Sequence, residues 1–188
     1  MRPSKRLGGV YLGEGRCRFR LWAPYARAVE VHILSPKEQV AALHPGPLGY
    51  HHGVVEGVGP GTRYLYRLDY SIERPDPASE FQPEGVHGPS EIVEPCFPWE
   101  DQAWRGLRLQ ELIIYEVHVG TFSPAGTFRG VTEQLDELVS LGITAVELMP
   151  VAQCPGTRNW GYDSVYPFAV QNSYGGPRGL KEFVNACH

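Results

Sequence analysis

The spacing of apolar residues changes part-way along the chain, and this change limits the possible folds more than any other feature. Residues 16–21 alternate between apolar side chains and arginine, and the same period of two returns at residues 29–33 and 64–68. This period is typical of strands that bury one face. Residues 112–119 instead form an almost continuous apolar run ending at Gly120, which is typical of a parallel strand covered on both faces. The sequence therefore predicts two differently built domains.

The first half predicts a small β-sandwich. Its short alternating segments are separated by turns rich in proline and glycine, such as residues 57–61, a pattern typical of antiparallel all-β domains. His51 and His52 stand beside a glycine and have no carboxylate at metal-ligand spacing, so we expect a surface turn there. Residues 75–98 then contain six of the chain's 17 prolines, which excludes helix and indicates a joint or an ordered surface connection.

The second half predicts a strand, a helix and a parallel strand. Val131, Leu135, Leu138 and Val139 share one helical face, and Gly142 can end that helix in the left-handed conformation. We expect about three helical turns, followed by a buried strand over residues 143–149 that makes a β-α-β unit with the usual right-handed crossover. A long loop over residues 152–176 should precede a second helix, starting near residue 177, whose shared face carries Leu180, Phe183 and Val184.

Composition narrows the possible partners. The net charge is −4 and no run of like charges gathers into a basic patch, so we expect no nucleic-acid binding. No stretch of 18 apolar residues occurs, so we expect no membrane span and a soluble, cytoplasmic chain. The four cysteines are widely spaced and lack nearby histidine, which predicts reduced, mostly buried thiols and no zinc site: Cys17, Cys96, Cys154 and Cys187.

The candidate site lies after the two parallel strands, because ligands gather at the carboxyl ends of such strands. The segment over residues 159–163 places Trp160, Tyr162 and Asp163 beside a glycine that allows close approach of a ligand. These groups offer stacking faces and hydrogen-bond partners for a sugar. The alternative is that Trp160 and Tyr162 only attach a long loop to the rest of the domain.

Several titratable residues have two interpretations. Glu116 and His118 share a face of the first parallel strand and Glu147 lies on the second, so all three are candidates for general acid or base chemistry. Polar groups inside a barrel are also often structural and hydrogen-bonded to one another. Glu111 and Asp101 are interpreted as solvated charges near the joint, and no phosphate-binding or serine-nucleophile motif occurs.

Several ordered motifs resemble the opening of an α-amylase superfamily barrel. They are Ile-Tyr-Glu-Val-His-Val-Gly-Thr-Phe at 114–122, Gly-Thr-Phe at 126–128, Glu-Leu-Met-Pro-Val at 147–151, Trp-Gly-Tyr-Asp at 160–163 and Tyr-Gly-Gly at 174–176. Within the superfamily, residues 74–79, 82–83, 86–90, 123–128 and 149–153 resemble the maltooligosyltrehalose trehalohydrolases more than the glycogen branching enzymes. The resemblance implies a multidomain chain: an immunoglobulin-like (early-set) sandwich of carbohydrate-binding type over residues 1–95, a connection over 96–109, and an incomplete catalytic (β/α)8 TIM barrel over 110–188.

The resemblance also implies an activity and a set of site residues. The reaction is hydrolysis of the α-1,4 bond that joins trehalose to a maltooligosaccharide, with no metal or organic cofactor. Tyr162 would stack under the sugar at the cleavage subsite, Asp163 and Trp160 would shape the pocket, and His118 and Glu147 would support the barrel floor. The partners are then maltooligosyltrehalose or a maltooligosaccharide.

The length sets a limit on what the chain does alone. A TIM barrel needs about 250 residues, whereas residues 109–188 number only 80. In the family the catalytic Asp, Glu and Asp follow the fourth, fifth and seventh strands, so we expect an amino-terminal fragment that is inert by itself and can self-associate through its open barrel edge. The alternatives are a fragment of a glycogen branching enzyme and a stand-alone module that binds carbohydrate or another protein.

Overall fold

The computed structural model describes residues 6–188, and the first half of this range folds into two antiparallel sheets. The strands are β1 Gly8–Gly13, β2 Arg16–Trp22, β3 Val29–Ser35, β4 Gln39–Ala42, β5 His44–Pro45, β6 Tyr50–Glu56, β7 Arg63–Leu68, β8 Ile72–Arg74 and β9 Ser90–Glu91. One sheet has the strand order β1-β2-β6-β5; the other has the order β4-β3-β7-β8, and β9 also pairs with β7. A short 3-10 turn, Pro47–Gly49, precedes β6. The predicted sandwich is confirmed.

The period of two places alternate side chains between the sheets. On β2 the buried residues are Cys17, Phe19 and Leu21, while the arginines between them are only partly buried. The rings of Phe19 and Tyr64 meet edge to face with centroids 5.0 Å apart, a favourable geometry for aromatic pairs. The rest of the buried core is Val29, Val31, Ile33, Leu43, Val55, Val58, Tyr66 and Ile92.

The predicted surface turn at His51 and His52 is wrong. Both residues lie within β6, where they pair with Leu21 and Arg20 of β2, and the His51 side chain is buried. Pairing along all seven residues of β2 outweighs the weak strand preference of histidine and glycine.

The proline-rich stretch is irregular but packs tightly against the sandwich. Asp76 is fully buried. Its Oδ2 accepts hydrogen bonds from the Tyr64 hydroxyl at 2.6 Å and the Gly9 N–H at 3.2 Å, and its Oδ1 accepts one from the Ala78 N–H at 2.8 Å. Burial raises the pKa of this carboxyl, and the hydrogen bonds oppose that rise. One buried side chain therefore ties β1, β7 and the start of the connection together.

The second half contains the predicted parallel pair. Strands β10 and β11 pair in parallel, with Ile114 opposite Ala145. A 3-10 turn, Leu109–Glu111, precedes β10 and another, Asn172–Tyr174, precedes the last helix. The elements are β10 Ile114–Val117, α1 Val119–Phe122, α2 Phe128–Thr132, α3 Leu135–Ser140, β11 Ala145–Leu148, β12 Ala152–Gln153, β13 Tyr166–Val170 and α4 Gly176–Cys187.

Two expectations for this half need correction. The predicted single helix is divided between α2 and α3, because Gln134 leaves helical geometry at φ −109°, ψ 3°, and α1 also lies between the parallel strands. Gly142 does adopt the expected left-handed conformation at φ 91°. The predicted long loop over residues 152–176 contains an antiparallel hairpin, β12 with β13. The sequence analysis did not predict these strands, because the glycine and aromatic residues of the segment are typical of a loop.

The second hydrophobic core lies between the helices and the parallel strands. Its buried members are Val117, Val119, Phe128, Val131, Tyr174 and Phe183. The predicted face of α4 is confirmed, since Phe183 is buried and Leu180 and Val184 pack against the same core. The expectation that both faces of the first parallel strand are covered is wrong for its start, where Ile113, Ile114 and Tyr115 are exposed. Within residues 6–188, β10 has β11 as its one neighbour.

Backbone carbonyls of the proline-rich stretch, residues 75–98, hold the two halves together. The Asn172 side chain donates to the Pro83 carbonyl at 3.1 Å and the Tyr166 hydroxyl donates to the Val86 carbonyl at 2.9 Å. Lys181 of α4 donates to the Glu94 carbonyl at 3.0 Å. In the part of the chain that the structure covers, no helix is both long and apolar enough to pass through a membrane.

The four cysteines are free thiols in the structure, and two of them are buried, whereas the sequence analysis predicted that most would be. Cys17 and Cys154 lie inside the protein, and Cys96 and Cys187 are exposed. Burial raises the pKa of Cys17 to about 11, so this thiol is protonated and unreactive at neutral pH.

Candidate functional site

The site predicted from the sequence forms an exposed loop at the end of β11. Residues 154–165 connect β12 to β13, and the side chains of Trp160 and Tyr162 are 70% and 69% exposed. Asp163 next to them is also exposed. Two aromatic rings and a carboxylate therefore face solvent together, and other residues attach the loop to the protein.

His118 holds the tip of this loop. Its Nε2 lies 2.7 Å from the Asn159 carbonyl oxygen and its Nδ1 lies 2.8 Å from the Thr121 hydroxyl. A carbonyl only accepts, so Nε2 carries the proton of the bond to Asn159. The Tyr174 hydroxyl lies 3.0 Å from the same Nε2. The imidazole thus connects the end of β10 to the loop and to the turn before α4.

Gly161 brings the loop directly onto the end of β11. Its N–H donates to the Asn159 side-chain oxygen at 2.9 Å, and its φ is +84°. A Cβ at this position would lie 2.0 Å from the Pro150 carbonyl oxygen. Only glycine permits both the left-handed backbone and this close approach. The contact therefore fixes the position of the Trp160 and Tyr162 backbone relative to the end of β11.

Two buried amides hold the base of the loop. Gln171 accepts from the Cys154 N–H at 2.8 Å and donates to the Gly156 carbonyl at 3.0 Å. Gln153 donates to the Cys154 carbonyl at 2.9 Å and accepts from the Asn172 N–H at 2.9 Å. Buried amides with these bonds give the loop a fixed base. The sequence analysis did not single out either residue; the signal is a glutamine at the end of an otherwise apolar segment, Gln153 closing β12 and Gln171 directly following β13.

The two strand carboxylates do not join this network. Glu116 and Glu147 are register partners across β10 and β11, and both are exposed. Among the described residues 6–188, neither carboxylate side chain forms a hydrogen bond or an ion pair. Support of the barrel floor by Glu147 therefore stays a prediction, and so does that role for His118.

The charges near the joint have partners. Glu111 is exposed and pairs with Arg108 at 2.5 Å, and this hydrogen bond lowers the pKa of the Glu111 carboxyl. The Asp101 carboxylate lies 2.8 Å from His188 Nδ1, so it is less free than predicted. Within the described range, no group of three or more His, Cys, Asp or Glu side chains could hold a metal ion.

The comparison with family models decides the family. The model described as alpha amylase, catalytic domain, matches residues 89–188, and the model of carbohydrate-binding module 48, the isoamylase amino-terminal domain, matches residues 6–77. The chain belongs to the alpha-amylase family. Its first half is the carbohydrate-binding module that precedes the catalytic domain, and its second half is the start of that domain.

Individual relatives show which enzymes of the alpha-amylase family this chain resembles more. A malto-oligosyltrehalose trehalohydrolase from Saccharolobus solfataricus is 48% identical over 180 residues, which are 96% of this chain and 32% of the relative. A 1,4-alpha-glucan branching enzyme from Cutibacterium acnes is 31% identical over 186 residues, 91% of this chain and 28% of the relative. The predicted resemblance to the trehalohydrolases is confirmed, and the chain spans less than a third of either relative.

A solved structure agrees with this placement. The crystal structure of a Salmonella typhimurium protein described as an alpha amylase superposes with a TM-score of 0.91 at 39% identity, covering 98% of this chain and 31% of the other. Sandwich, connection and parallel strands therefore occur together in a solved member of the family.

Proposed function

We propose that this chain supplies the carbohydrate-binding module and the first barrel strands of a malto-oligosyltrehalose trehalohydrolase. That enzyme is a glycoside hydrolase that cleaves the α-1,4 bond next to trehalose and releases trehalose. The supporting observation is the 48% identity to the Saccharolobus trehalohydrolase over nearly the whole chain. The proposed division remains 1–95 for the module, 96–109 for the connection and 110–188 for the barrel segment.

The exposed aromatic loop is the proposed sugar contact. A ring face against a sugar face buries apolar C–H area and leaves the hydroxyls free to hydrogen-bond, and Tyr162 and Trp160 present such faces to solvent. Asp163 would accept bonds from sugar hydroxyls. His118, Asn159 and Gly161 fix the loop before the ligand arrives, which reduces the entropy lost on binding.

Hydrolysis itself needs groups that we place outside this chain. A retaining glycosidase uses a nucleophilic carboxylate and an acid/base carboxyl about 5 Å apart, and the family places both after later strands of the barrel. The proposal is therefore that the 188-residue chain alone is inert.

Product analysis tests the function. The full reading frame that contains this chain should release trehalose from maltooligosyltrehalose, and the pure 188-residue chain should release none. Formation of α-1,6 branches instead would support the branching enzyme, of which a relative is 31% identical. Trehalose release by the short chain would contradict the proposed division of labour.

A stand-alone carbohydrate-binding module is the second candidate. The match of residues 6–77 to carbohydrate-binding module 48 favours it over a protein-interaction role. This candidate would be supported if cells produce the 188-residue protein itself, if that protein binds maltooligosaccharide saturably, and if no longer form of the protein hydrolyses the sugar.

The cellular compartment of the enzyme and its role in trehalose biosynthesis are also proposals. Four reduced cysteines, two of them exposed, suit a reducing compartment, so we place the enzyme in the cytoplasm, in trehalose biosynthesis. Recovery of the protein in the soluble cytosolic fraction, together with loss of cellular trehalose when its gene is deleted, would test both statements.

A further inference from the structure

The proline-rich stretch and the aromatic loop are joined by a continuous set of hydrogen bonds. The stretch, residues 75–98, lies beside the sandwich, whereas the aromatic loop, residues 154–165, carries the exposed rings of Trp160 and Tyr162 in the second half. The bonds between them pass through one asparagine and two buried glutamines.

The sandwich end of this set is Gln82, whose side chain is fully buried. Its Oε1 accepts from the Ser90 hydroxyl of β9 at 2.5 Å, and its Nε2 donates to the Gly88 carbonyl at 3.0 Å. The Ser90 hydroxyl also accepts from the Asp76 N–H at 3.0 Å. Buried polar groups with these bonds are rigid, so residues 82–88 are fixed to the sheet.

Asn172 connects this segment to the second half. Its Nδ2 donates to the Pro83 carbonyl at 3.1 Å. Its backbone N–H donates to Gln153 Oε1 at 2.9 Å, and its Oδ1 accepts from the Ser173 N–H at 2.8 Å. One residue therefore holds the proline-rich stretch with its side chain and the base of the aromatic loop with its backbone.

Two buried glutamines connect Asn172 to the loop itself. Gln153 donates to the Cys154 carbonyl at 2.9 Å. Gln171, the neighbour of Asn172, accepts from the Cys154 N–H at 2.8 Å and donates to the Gly156 carbonyl at 3.0 Å. Both glutamine side chains are fully buried, where a hydrogen bond is stronger than in water. A displacement of Asn172 therefore displaces the first residues of the aromatic loop.

A second bond runs beside the first. The Tyr166 hydroxyl donates to the Val86 carbonyl at 2.9 Å, and Tyr166 is the register partner of Gln153 in the β12–β13 hairpin. The hairpin and the turn after it thus meet residues 82–88 at two places, through Tyr166 and Asn172.

We propose that Asn172 is a positioning residue through which the proline-rich stretch sets the place of the Trp160 and Tyr162 rings. The amino-terminal half thereby acts on a loop of the catalytic domain. A loop that is fixed before the ligand arrives loses less entropy on binding. That the ligand is maltooligosyltrehalose rests on the proposed function, whereas the coupling between Asn172 and the loop does not.

Amide chemical shifts of the 188-residue chain test the coupling. Asn172→Asp keeps the oxygen that accepts from Ser173 and replaces the donor to Pro83 with a second oxygen, so the bond to the proline-rich stretch is lost. We expect the amide signals of residues 160–162 to move. Tyr166→Phe removes the bond to Val86 and keeps the buried ring, so it should move the same signals even if Asn172→Asp does not fold.

Lys181→Met is the matched control. Lys181 also donates to a carbonyl of the proline-rich stretch, that of Glu94 at 3.0 Å, but it lies in α4. Among residues 6–188, its side chain forms no bond to either glutamine below the loop. Its loss should therefore remove a bond between the halves and leave the amide signals of residues 160–162 where the wild type has them.

Kinetics of the full enzyme test the consequence for the reaction. Asn172→Asp should raise KM for maltooligosyltrehalose about fivefold and leave kcat nearly unchanged, because a stacking contact serves the substrate and the transition state alike. A variant that is merely less stable would lower kcat instead. In a Tyr162→Ala background the same substitution should change KM no further, since its effect passes through that ring. Additive effects of the two substitutions would overturn the proposal.

The remaining outcomes separate this inference from the proposed function. Equal movement of the loop signals in Asn172→Asp and Lys181→Met would overturn it, because any bond between the halves would then have the same effect. Loop signals that stay in place in both Asn172→Asp and Tyr166→Phe would do so as well. If the full reading frame releases no trehalose while these two variants move the signals and Lys181→Met does not, the proposed function fails and the coupling stands.

Discussion

Gly161 and Gly156 allow a matched test of how the aromatic loop is held. Both have positive φ, +84° and +68°, but a Cβ at Gly161 would lie 2.0 Å from a backbone oxygen whereas a Cβ at Gly156 would meet nothing within 4 Å. Gly156→Ala should cost about 1 kcal/mol of unfolding free energy through backbone strain alone. Gly161→Ala should cost clearly more, because the Pro150 carbonyl cannot move away cheaply.

Urea unfolding of both variants measures this difference. Gly161→Ala should in addition weaken maltooligosaccharide contacts at Tyr162, since the ring would shift with the loop. Equal loss of stability in the two variants would show that the contact with Pro150 does not hold the loop.

Asp76 should be among the most sensitive positions of the sandwich. Asp76→Ala leaves three donors without their acceptor, those of Tyr64, Gly9 and Ala78. Removing an acceptor from buried donors costs about 1–3 kcal/mol for each group affected, so we expect a loss of at least about 3 kcal/mol. Tyr64→Phe, which removes one of these bonds and keeps the ring, should cost less in the same urea experiment. A loss below that of Tyr64→Phe would contradict the central role of Asp76.

His32 should make the sandwich less stable as the pH rises. Burial disfavours the charged imidazolium, but hydrogen bonds to Glu38 at 3.0 Å and Glu73 at 2.6 Å outweigh it and raise the pKa above its ordinary value of 6.5. The folded state therefore binds this proton more tightly than the unfolded state. The stabilisation is fully present below pH 6.5 and is lost as the pH rises through the folded-state pKa.

Unfolding free energies measured from pH 5.5 to 8.5 would reveal this trend as the difference between wild type and His32→Gln. The difference should shrink as the pH increases. Glu73→Gln removes the nearer partner and should flatten the trend; a difference that stays constant with pH would refute the assignment.

At this scale the sequence indicated the exposed aromatic residues of the loop but not the residues that hold the loop in place. Trp160, Tyr162 and Asp163 stand out because aromatic and charged side chains beside a glycine are visible in the sequence. Gln153 and Gln171 do not stand out, because their importance comes from bonds between segments about 18 residues apart. His51 was misplaced for a similar reason, since its burial depends on pairing with β2.

The strands of the sandwich should be the most protected elements of the molecule. β2, β3, β6 and β7 each have neighbours on both sides, whereas β10 and β11 form a two-stranded sheet within the described range. Exposed apolar side chains at the start of β10 add to this contrast. Backbone amides of the central sandwich strands should therefore exchange with deuterium much more slowly than those of the parallel pair. Uniform protection across both halves would contradict this expectation.

Element types were easier to predict than element boundaries. Strong periodicity identified β2, β3, β7 and α4, because a period of two or of 3.6 residues is a property of the local sequence. The break at Gln134 and the β12–β13 hairpin are not local properties. The hairpin exists because Gln153 and Tyr166 become partners across 13 residues of chain, and no short-range pattern announces that pairing.

For the whole molecule, the exposed start of β10 predicts self-association. Ile113, Ile114 and Tyr115 form an exposed apolar run at the start of the strand, and such surfaces promote contacts between copies. Sedimentation velocity should show concentration-dependent dimers or larger species, and Ile114→Lys should shift them towards monomer. Val54→Lys is the matched control, because Val54 is 56% exposed against 54% for Ile114 but lies on the sandwich. A wild-type chain that stays monomeric at all concentrations would refute this prediction.

The bonds between the two halves determine which positions tolerate substitution. Asn172, Tyr166 and Lys181 all attach to main-chain carbonyls, those of Pro83, Val86 and Glu94. A carbonyl persists whatever side chain its residue carries. The proline-rich stretch can therefore accept substitutions at these three acceptor positions while the halves stay attached, whereas a substitution of any of the three donors removes a bond between the halves.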